Sequence, residues 1–421
     1  MLVFISDLHL TDGSSGETIN PDAFEKFTYQ ISQLAQKAKA RELQIVLLGD
    51  IFDIIRSDTW LKSDSVRPWS SEDALDRNGV GLRKYTSDIL TDIIENPKNK
   101  QSISWLQELK STMEKWDVPV QFTYLTGNHD WLINRYPETR MAVSRCFLMP
   151  DSYEAKKFPD GFFWNDYKVY ARHGDFYDPI NYEKDRDRSS LGDAIVIELI
   201  NRFHNEAEKH IRNADPQFLS LIKEIDNVRP MFDIPVWIDG LCKRFKSRNT
   251  ANKIKEIWNN LVKDFMKLDF VKQHDKFGPD YVDLLKMVFG ISKIMPLSIT
   301  ARLPFKKIAS LIGGSDKMID CAFKEDILKR NEAQFIVYGH THKHCVIPLD
   351  QVPLSDGSLM NKMYFNTGTW RTVHERTKFD IQSQEFTNWQ VMSFVVFYKD
   401  GERVDTNGNQ RRFEVWSGAL G

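Results

Sequence analysis

Five short polar motifs constrain what this chain can fold into, because each follows an apolar, strand-like run. The runs cover residues 2–5, 45–48, 120–125, 168–171 and 335–338. The motifs behind them are Asp7-Leu8-His9, Gly49-Asp50-Ile51-Phe52-Asp53, Gly127-Asn128-His129-Asp130, His173-Gly174-Asp175 and Gly339-His340-Thr341-His342. In open α/β sheets, ligands bind at the carboxyl ends of the strands. The pattern therefore predicts an α/β fold whose five motifs meet around one crevice.

The first two runs flank a segment with helical periodicity. Asn20-Pro21 is typical of a helix start, with Asn20 as N-cap and proline at the first helical position. Apolar residues follow at helical spacing, at Phe24, Phe27, Ile31, Leu34 and Ala38. Strand, helix and strand in this order predict a βαβ unit, in which the two strands are parallel.

A long segment interrupts the succession of strands and polar motifs. Residues 176–332 have predominantly helical patterns, and the succession resumes after them with the strand at 335–338. We therefore expect a core formed by residues 1–175 and 333–421, with residues 176–332 as a helical cap insertion. Residues 363–365, 391–398 and 412–416 are further candidate strands of the second core part.

Composition excludes several classes of protein. Of the 421 residues, 41% are hydrophobic. This fraction excludes a collagen-like or wholly disordered chain and indicates a globular protein with a core. The net charge of −2 does not favour nucleic-acid binding. The four scattered cysteines do not suggest a disulfide framework or a thiolate zinc site, and fit a reducing compartment. We expect a cytoplasmic protein without a transmembrane segment, since no apolar run is long enough to span a bilayer.

The residue types in the motifs are those that bind transition metals. Imidazole and carboxylate groups suit zinc, iron and manganese. The candidate ligands are Asp7, His9, Asp50, Asn128, His173, His340 and His342. Seven ligands are too many for one ion but fit two ions that share a bridging carboxylate. A pair of divalent ions clamps a phosphoryl group and generates a nucleophile from water.

Together the motifs resemble the signature of the calcineurin-like metallophosphoesterases, which is D-x-H, G-D-x-x-D/E, G-N-H-D/E, a later x-H and G-H-x-H. The resemblance covers roughly residues 1–53, 119–178 and 333–375. It implies a two-sheet α/β/β/α sandwich flanked by helices. The position of the insertion is similar to that of the helical cap in UDP-2,3-diacylglucosamine hydrolases, although this insertion is longer.

The resemblance also implies roles for single residues. One metal would be held by Asp7, His9 and His342, and the other by Asn128, His173 and His340, with Asp50 as the bridge. His129 would stabilise the transition state or protonate the leaving oxygen. Asp130 is expected to orient His129, and Asp53 is a further supporting partner.

The implied activity is metal-dependent hydrolysis of a phosphomonoester, phosphodiester or pyrophosphate by in-line attack of a metal-bound hydroxide. The substrate would be a phosphate ester, which could be linked to a lipid or a nucleotide. We expect two divalent ions, with Mn²⁺ first and Fe, Zn, Ni or Co as alternatives. Two other functions stay open: a nuclease of the same family, which the net charge does not favour, and a binding scaffold without catalysis.

Three arginines near the motifs are candidates for binding substrate phosphate. They are Arg172, Arg371 and Arg56, and the alternative for each is a surface ion pair.

A basic run at residues 243–255 lies inside the insertion. It is either a solvated face or an electrostatic guide for an anionic substrate or a membrane surface, which would give peripheral membrane or lipid contact through the cap.

Overall fold

The apolar runs form buried strands in the computed structural model of the chain. The model describes residues 1–63, 65–211, 216–244, 248–275, 281–290, 315–354, 357–377 and 385–420. The strands are β1 (Leu2–Ile5), β2 (Leu43–Leu48), β3 (Val120–Leu125), β4 (Gly161–Trp164), β5 (Val169–Arg172), β6 (Val228–Arg229), β7 (Phe335–Tyr338), β8 (Cys345–Pro353), β9 (Leu359–Asn366), β10 (Val373–Arg376), β11 (Phe386–Trp389), β12 (Val391–Phe397) and β13 (Phe413–Ala419). They form three mixed sheets, so the predicted α/β class is confirmed.

The predicted βαβ unit is present at the N-terminus. Strands β1 and β2 are parallel, with Val3 opposite Ile45, and β3 continues the parallel pairing beside β2. The helix between the first two strands begins at Asp22, with Pro21 rather than Asn20 as the N-cap residue. The side chain of Asn20 still accepts a hydrogen bond from the backbone N–H of Asp22, at 3.2 Å. Strands β12 and β13 complete this sheet in the order β13-β12-β1-β2-β3.

The second five-stranded sheet carries the later motifs. Its order is β4-β5-β7-β9-β8, and β5, β7 and β9 are parallel. Apolar side chains of both five-stranded sheets meet in one buried cluster, which includes Phe4, Val46, Val169, Val337 and Phe397. Because the two sheets bury these faces against each other, the ends of β1, β2, β3, β5 and β7 converge.

Helices cover the first sheet and make up most of the insertion. They are α1 (Asp22–Ala38), α2 (Leu82–Glu95), α3 (Pro97–Glu114), α4 (Trp131–Arg135), α5 (Pro137–Cys146), α6 (Leu191–Ile195), α7 (Arg202–Ile211), α8 (Pro216–Lys223), α9 (Ile234–Lys243), α10 (Arg248–Phe265), α11 (Asp269–Gln273), α12 (Tyr281–Gly290), α13 (Ser315–Phe323) and α14 (Asp326–Lys329). A π-helical stretch, Val196–Asn201, joins α6 to α7. None of the helices in the described ranges has the length and apolarity that crossing a bilayer requires.

The insertion is not wholly helical. Its short strand β6 pairs in parallel with β10, and β11 pairs with β10 on the other side. This third sheet links the insertion to the C-terminal part of the core. A two-residue strand carries too little periodicity to be detected in the sequence. Parts of the predicted helical region, at residues 212–215, 245–247, 276–280 and 291–314, lie outside the described residues.

Candidate metal centre

The loops after the strands are hydrogen-bonded to one another, which brings their polar side chains together. The backbone N–H of Asp7 donates to the carbonyl of Gly49 at 3.1 Å, and that of His9 donates to the carbonyl of Asp50 at 2.9 Å. The backbone N–H of His340 donates to the carboxylate of Asp7. Motifs more than 300 residues apart in the chain therefore share one loop framework.

Five of the seven candidate ligands have backbone conformations that are unfavourable for residues with a side chain. Their φ angles are positive, at 51° for Asp7, 44° for His9, 53° for Asp50, 69° for His340 and 58° for His342. Such conformations cost free energy and persist where the surrounding structure enforces them, typically at functional sites. Here they turn the side chains of strand-end residues into a common space.

Two motif glycines are required for different reasons. Gly49 has φ +81°, and an added Cβ would lie 2.5 Å from Nδ1 of His173. At Gly127 an added Cβ would collide with the side chain of Asp50 and lie 2.6 Å from its backbone nitrogen. Gly127 is therefore required because Asp50 packs directly against its backbone, and not for a left-handed turn.

The first group of ligand atoms belongs to Asp7, His9 and His342. Nε2 of His342 lies 3.3 Å from Oδ1 of Asp7 and 3.0 Å from Nε2 of His9. Ligands that each lie about 2.1 Å from one ion are roughly 3.0–3.4 Å apart, so these atoms fit a shared cation. Burial and the Arg229 guanidinium lower the pKa of His342 to about 3, so the ring is neutral. Because Nδ1 accepts from Arg229, the ring proton is on Nε2, and an ion bound there would displace it.

The second group belongs to Asp50, His173 and His340, with Asn128 beside them. Nε2 of His173 lies 3.2 Å from Oδ2 of Asp50, and Nδ1 of His340 lies 3.0 Å from Oδ1 of Asn128. Nε2 of His173 is buried and has no hydrogen-bond partner among the described residues. A cation at this position would satisfy that nitrogen, so the donor set fits a second ion.

Asp50 lies between the two groups. Its Oδ2 is 3.2 Å from Nε2 of His173 and 3.8 Å from Nε2 of His9. Its Oδ1 accepts a hydrogen bond from the backbone N–H of His129 at 2.8 Å. Asp50 is thus near ligand candidates of both groups.

The charges in the site favour a cation. Burial raises the pKa of the Asp7 carboxyl, but His173 and His342 outweigh burial and lower it to about 2. Burial lowers the pKa of His173, but Asp50 and Asp7 outweigh it and raise the pKa to about 10. The attraction that keeps a proton on this imidazole would equally hold a divalent ion, which displaces the proton on binding.

The remaining ring nitrogens of three histidines are held by other groups. Nδ1 of His9 lies 2.9 Å from Oδ2 of Asp53, and Nδ1 of His173 lies 2.9 Å from the carbonyl of Leu48. Nε2 of His340 lies 3.0 Å from Oδ2 of Asp178. Histidines that bind metals usually donate their second N–H in this way, which fixes the tautomer and the ring orientation. Asp178 was not identified from the sequence, where it stands outside every motif.

His129 is oriented by Asp53, which corrects the expected role of Asp130. Nδ1 of His129 lies 2.8 Å from Oδ1 of Asp53. Asp130 instead accepts hydrogen bonds from the backbone N–H groups of Gly127 and Ile51, at 2.6 and 3.1 Å, and from the hydroxyl of Tyr124. Asp130 therefore fixes the loop that carries the motif, because its carboxylate is engaged by that backbone.

Arg172 does not lie at the expected phosphate site. Its guanidinium lies 3.3 Å from Glu325, 3.1 Å from the hydroxyl of Tyr170 and over the ring of Phe176. Arg172 is the last residue of β5, and its partners Glu325, Tyr170 and Phe176 are not those of His173, which contacts Asp50 and the carbonyl of Leu48. These separate contacts correct the expectation that adjacency in sequence would bring Arg172 into the site.

The other two arginines, Arg56 and Arg371, are buried. The alternative considered for each, an ion pair on the surface, is therefore wrong. Arg56 is 0% exposed and donates from Nη1 to Oδ1 of Asn201 at 2.8 Å. Nη1 of Arg371 lies 3.3 Å from Oδ2 of Asp226. A further arginine, Arg229 of the insertion, donates from Nη2 to Nδ1 of His342 at 2.9 Å. Arg229 lies outside the motifs, and nothing in its sequence neighbourhood indicated this contact.

The seven candidate ligands thus lie together, with His129 beside them, although they come from five separate segments of the chain. Neither the family models nor the curated proteins that were searched include a match to this chain. The contacts within the site are therefore the basis for a functional assignment.

Proposed function

We propose that this chain is a two-metal phosphoesterase that hydrolyses phosphate esters, in the manner of the calcineurin-like metallophosphoesterases. The observation that carries the proposal is that two groups of candidate ligand atoms lie side by side. One belongs to Asp7, His9 and His342, and the other to Asp50, His173 and His340. Asp50 of the second group also lies near His9 of the first group. Two divalent ions about 3.5–4 Å apart serve phosphoryl transfer in many hydrolases.

The packing of the sheets supports the two-sheet α/β/β/α sandwich that the motifs implied. Strands β1 and β2 of one sheet and β5 and β7 of the other contribute to one buried cluster. Helix α1 packs its buried face on the first sheet, with Phe27 near Phe394 and Trp370. Helix α13 packs on the second sheet, where Met318 lies in a cluster with Ile336.

One ion would be held by Asp7, His9 and His342, and the other by Asn128, His173 and His340, with Asp50 shared. When bound, the ions would neutralise charge on the phosphoryl oxygens and activate a water molecule as the nucleophile. Mixed nitrogen and oxygen ligands suit Mn²⁺ and equally accept Fe, Zn, Ni or Co, so availability would decide among them.

The position of His129 supports a role as proton donor to the leaving oxygen, because its ring packs edge-on against His9, one of the proposed ligands. In the metal-free chain, burial lowers the pKa of His129, but Asp53 and Asp50 outweigh burial and raise it to about 10. With Nδ1 directed at Asp53, the proton on Nε2 is available to a substrate. The imidazolium would also stabilise negative charge that develops in the transition state.

The proposal is tested by hydrolysis of bis-p-nitrophenyl phosphate with added Mn²⁺. We expect turnover by the unaltered protein, abolished by chelation and by Asp50→Ala. The matched control is Asp88→Ala, because Asp88 pairs with Lys84 on the surface of α2. Equal turnover by Asp50→Ala and Asp88→Ala, with both variants folded, would refute the assignment.

A further inference from the structure

A cluster of three arginines and one aspartate lies where the insertion meets the core. Arg229 belongs to β6, Asp226 precedes that strand, Arg371 follows β9, and Arg56 lies in the loop after β2. We call Arg56, Arg229, Arg371 and Asp226 the arginine cluster. Arg56, Arg371 and Asp226 are buried, and Arg229 is half-buried.

The positive charges of the cluster exceed its negative charge. Nη1 of Arg371 lies 3.3 Å from Oδ2 of Asp226, and Nε of Arg56 lies 3.7 Å from the same oxygen. Arg229 contacts the backbone carbonyl of Asp226 but not its carboxylate. Within the described ranges, no other carboxylate lies within 4.0 Å of these three guanidinium groups. Asp226 is thus the one carboxylate in direct contact with the cluster, while Asp53 and Asp58 act on Arg56, and Asp7 and Asp50 on Arg229, from farther away. An anion beside Arg371 would add a second direct partner.

The cluster also contains donors without acceptors. Nη2 of Arg371 and Nε of Arg56 are buried and have no hydrogen-bond partner among the described residues. A buried donor left unpaired costs free energy, and the cost is larger for a charged group. Both Nη atoms of Arg56 are occupied, by Asn201 and by the carbonyl of Lys223. Arg371, which is 5% exposed, therefore offers the free N–H group, and Arg56 helps to hold Asp226 in place.

The cluster adjoins the candidate metal centre on two sides. Nη2 of Arg229 donates to Nδ1 of His342 at 2.9 Å. Thr369 donates from Oγ1 to the carbonyl of Asp7 at 2.6 Å and accepts from the backbone N–H of Arg371 at 3.2 Å. A group bound by Arg229 and Arg371 would thus lie next to a phosphate bound at the metals.

We infer that the arginine cluster binds a second phosphate group of the substrate, with Nη2 of Arg371 as the free donor. Arg229 contributes its positive charge beside it, because its Nη atoms already contact the carbonyls of Asp226 and Val228 and Nδ1 of His342. Guanidinium groups bind phosphate through two parallel hydrogen bonds, which gives both affinity and orientation. The inference rests on the proposed function for the scissile phosphate. It narrows the substrate class to phosphate esters that carry another phosphate nearby.

Calorimetric titration of chelator-treated protein with inorganic phosphate tests the cluster without metals or turnover. We expect the unaltered protein to bind phosphate, Arg229→Gln to weaken binding at least about tenfold, and Arg229→Lys to restore part of it. Arg83→Gln is the matched control, since Arg83 pairs with Glu138 on the surface. Absence of phosphate binding by the unaltered protein, or equal binding by Arg229→Gln and Arg83→Gln, would overturn the inference.

Kinetics on two matched substrates separate this inference from the proposed function. Thymidine 5′-(p-nitrophenyl phosphate) and its 3′-phosphorylated derivative differ by one phosphate group. The quantity compared is kcat/KM for the substrate with two phosphates divided by kcat/KM for the substrate with one. We expect this ratio to be at least about tenfold lower in Arg229→Gln and in Arg371→Lys than in the unaltered protein. An unchanged ratio would overturn the inference, even where the unaltered protein hydrolyses both substrates. Hydrolysis of neither substrate would refute the proposed function, and phosphate titration would then decide the inference alone.

Discussion

The carboxylate of Asp53 lies 2.8 Å from Nδ1 of His129. Its second oxygen lies 2.9 Å from Nδ1 of His9. One side chain thus sets the ring orientation of the proposed proton donor and of a proposed metal ligand. Burial raises the pKa of Asp53, but His129 outweighs burial and holds the pKa well below its usual range. The carboxylate is therefore ionised at neutral pH and suited to this double role.

Replacement of Asp53 by asparagine should impair catalysis while leaving the fold intact. The amide keeps the shape but loses the charge that supports both imidazoles, so we expect kcat/KM for bis-p-nitrophenyl phosphate to fall about 10–100-fold. Asp88→Asn on the surface of α2 is the control. Indistinguishable rates for the two variants would show that Asp53 does not act through these histidines.

His129 should make the stability of the metal-free protein depend on pH. Its pKa is raised to about 10 in the folded chain, against about 6.5 when unfolded, so the folded state binds the proton more tightly. The resulting stabilisation is fully present below pH 6.5 and is lost as pH rises toward 10. We therefore expect His129→Gln to lower Tm by at least about 2 °C more at pH 6 than at pH 10. Calorimetric melting of chelated protein measures this, and an equal shift at both pH values would contradict it.

Asp178→Asn should weaken one of the two ions selectively. Asp178 accepts from Nε2 of His340, which belongs to the second ligand group only. Loss of such a partner typically lowers metal affinity about 10–100-fold. Elemental analysis after dialysis at limiting Mn²⁺ should find about one ion per chain in this variant. Asp185→Asn, which alters an exposed pair with Arg188, should match the unaltered protein. Equal ion content in the two variants would count against the role of Asp178.

Gly127→Ala should damage the site through its backbone. The added methyl group would collide with the side chain of Asp50, and overpacking of this kind costs about 1–3 kcal/mol. We expect a lower free energy of unfolding and weaker Mn²⁺ binding. Gly418→Ala is the matched control, because an added Cβ there meets nothing within 4 Å. Urea unfolding would measure the free energy of unfolding of the two variants. Equal stability of Gly127→Ala and Gly418→Ala would exclude close packing as the reason for a glycine at position 127.

The strand ends and the residues that come together in the candidate site could be predicted because both are local in sequence. An apolar run followed by aspartate or histidine specifies a buried strand and its polar end, and runs 120–125 and 335–338 match β3 and β7 residue for residue. Parallel pairing then requires that the ends of neighbouring strands share one edge. Asp7 and His340 follow β1 and β7, which belong to different sheets, so no strand pairing and no local signal connects them, and they meet where the two sheets pack together.

Contacts that depend on the path of the insertion could not be predicted. Arg229 reaches His342 only because β6 pairs with β10, and Asp178 reaches His340 only through the turn after β5. Asp130 is expected to orient His129 because an aspartate paired with a histidine fixes its tautomer and ring direction. Adjacent residues on a turn point in different directions, and the partner of His129 came from another loop.

Seven side chains are proposed to hold a pair of divalent ions, which can be counted by measuring bound metal. The unaltered protein and Asp50→Ala would be dialysed to equilibrium against Mn²⁺ and then analysed for bound metal, with folding checked by circular dichroism. We expect about two ions per chain in the unaltered protein and fewer than one in Asp50→Ala, because both ligand groups share this carboxylate. No bound ion in the unaltered protein, or two ions in folded Asp50→Ala, would contradict the account.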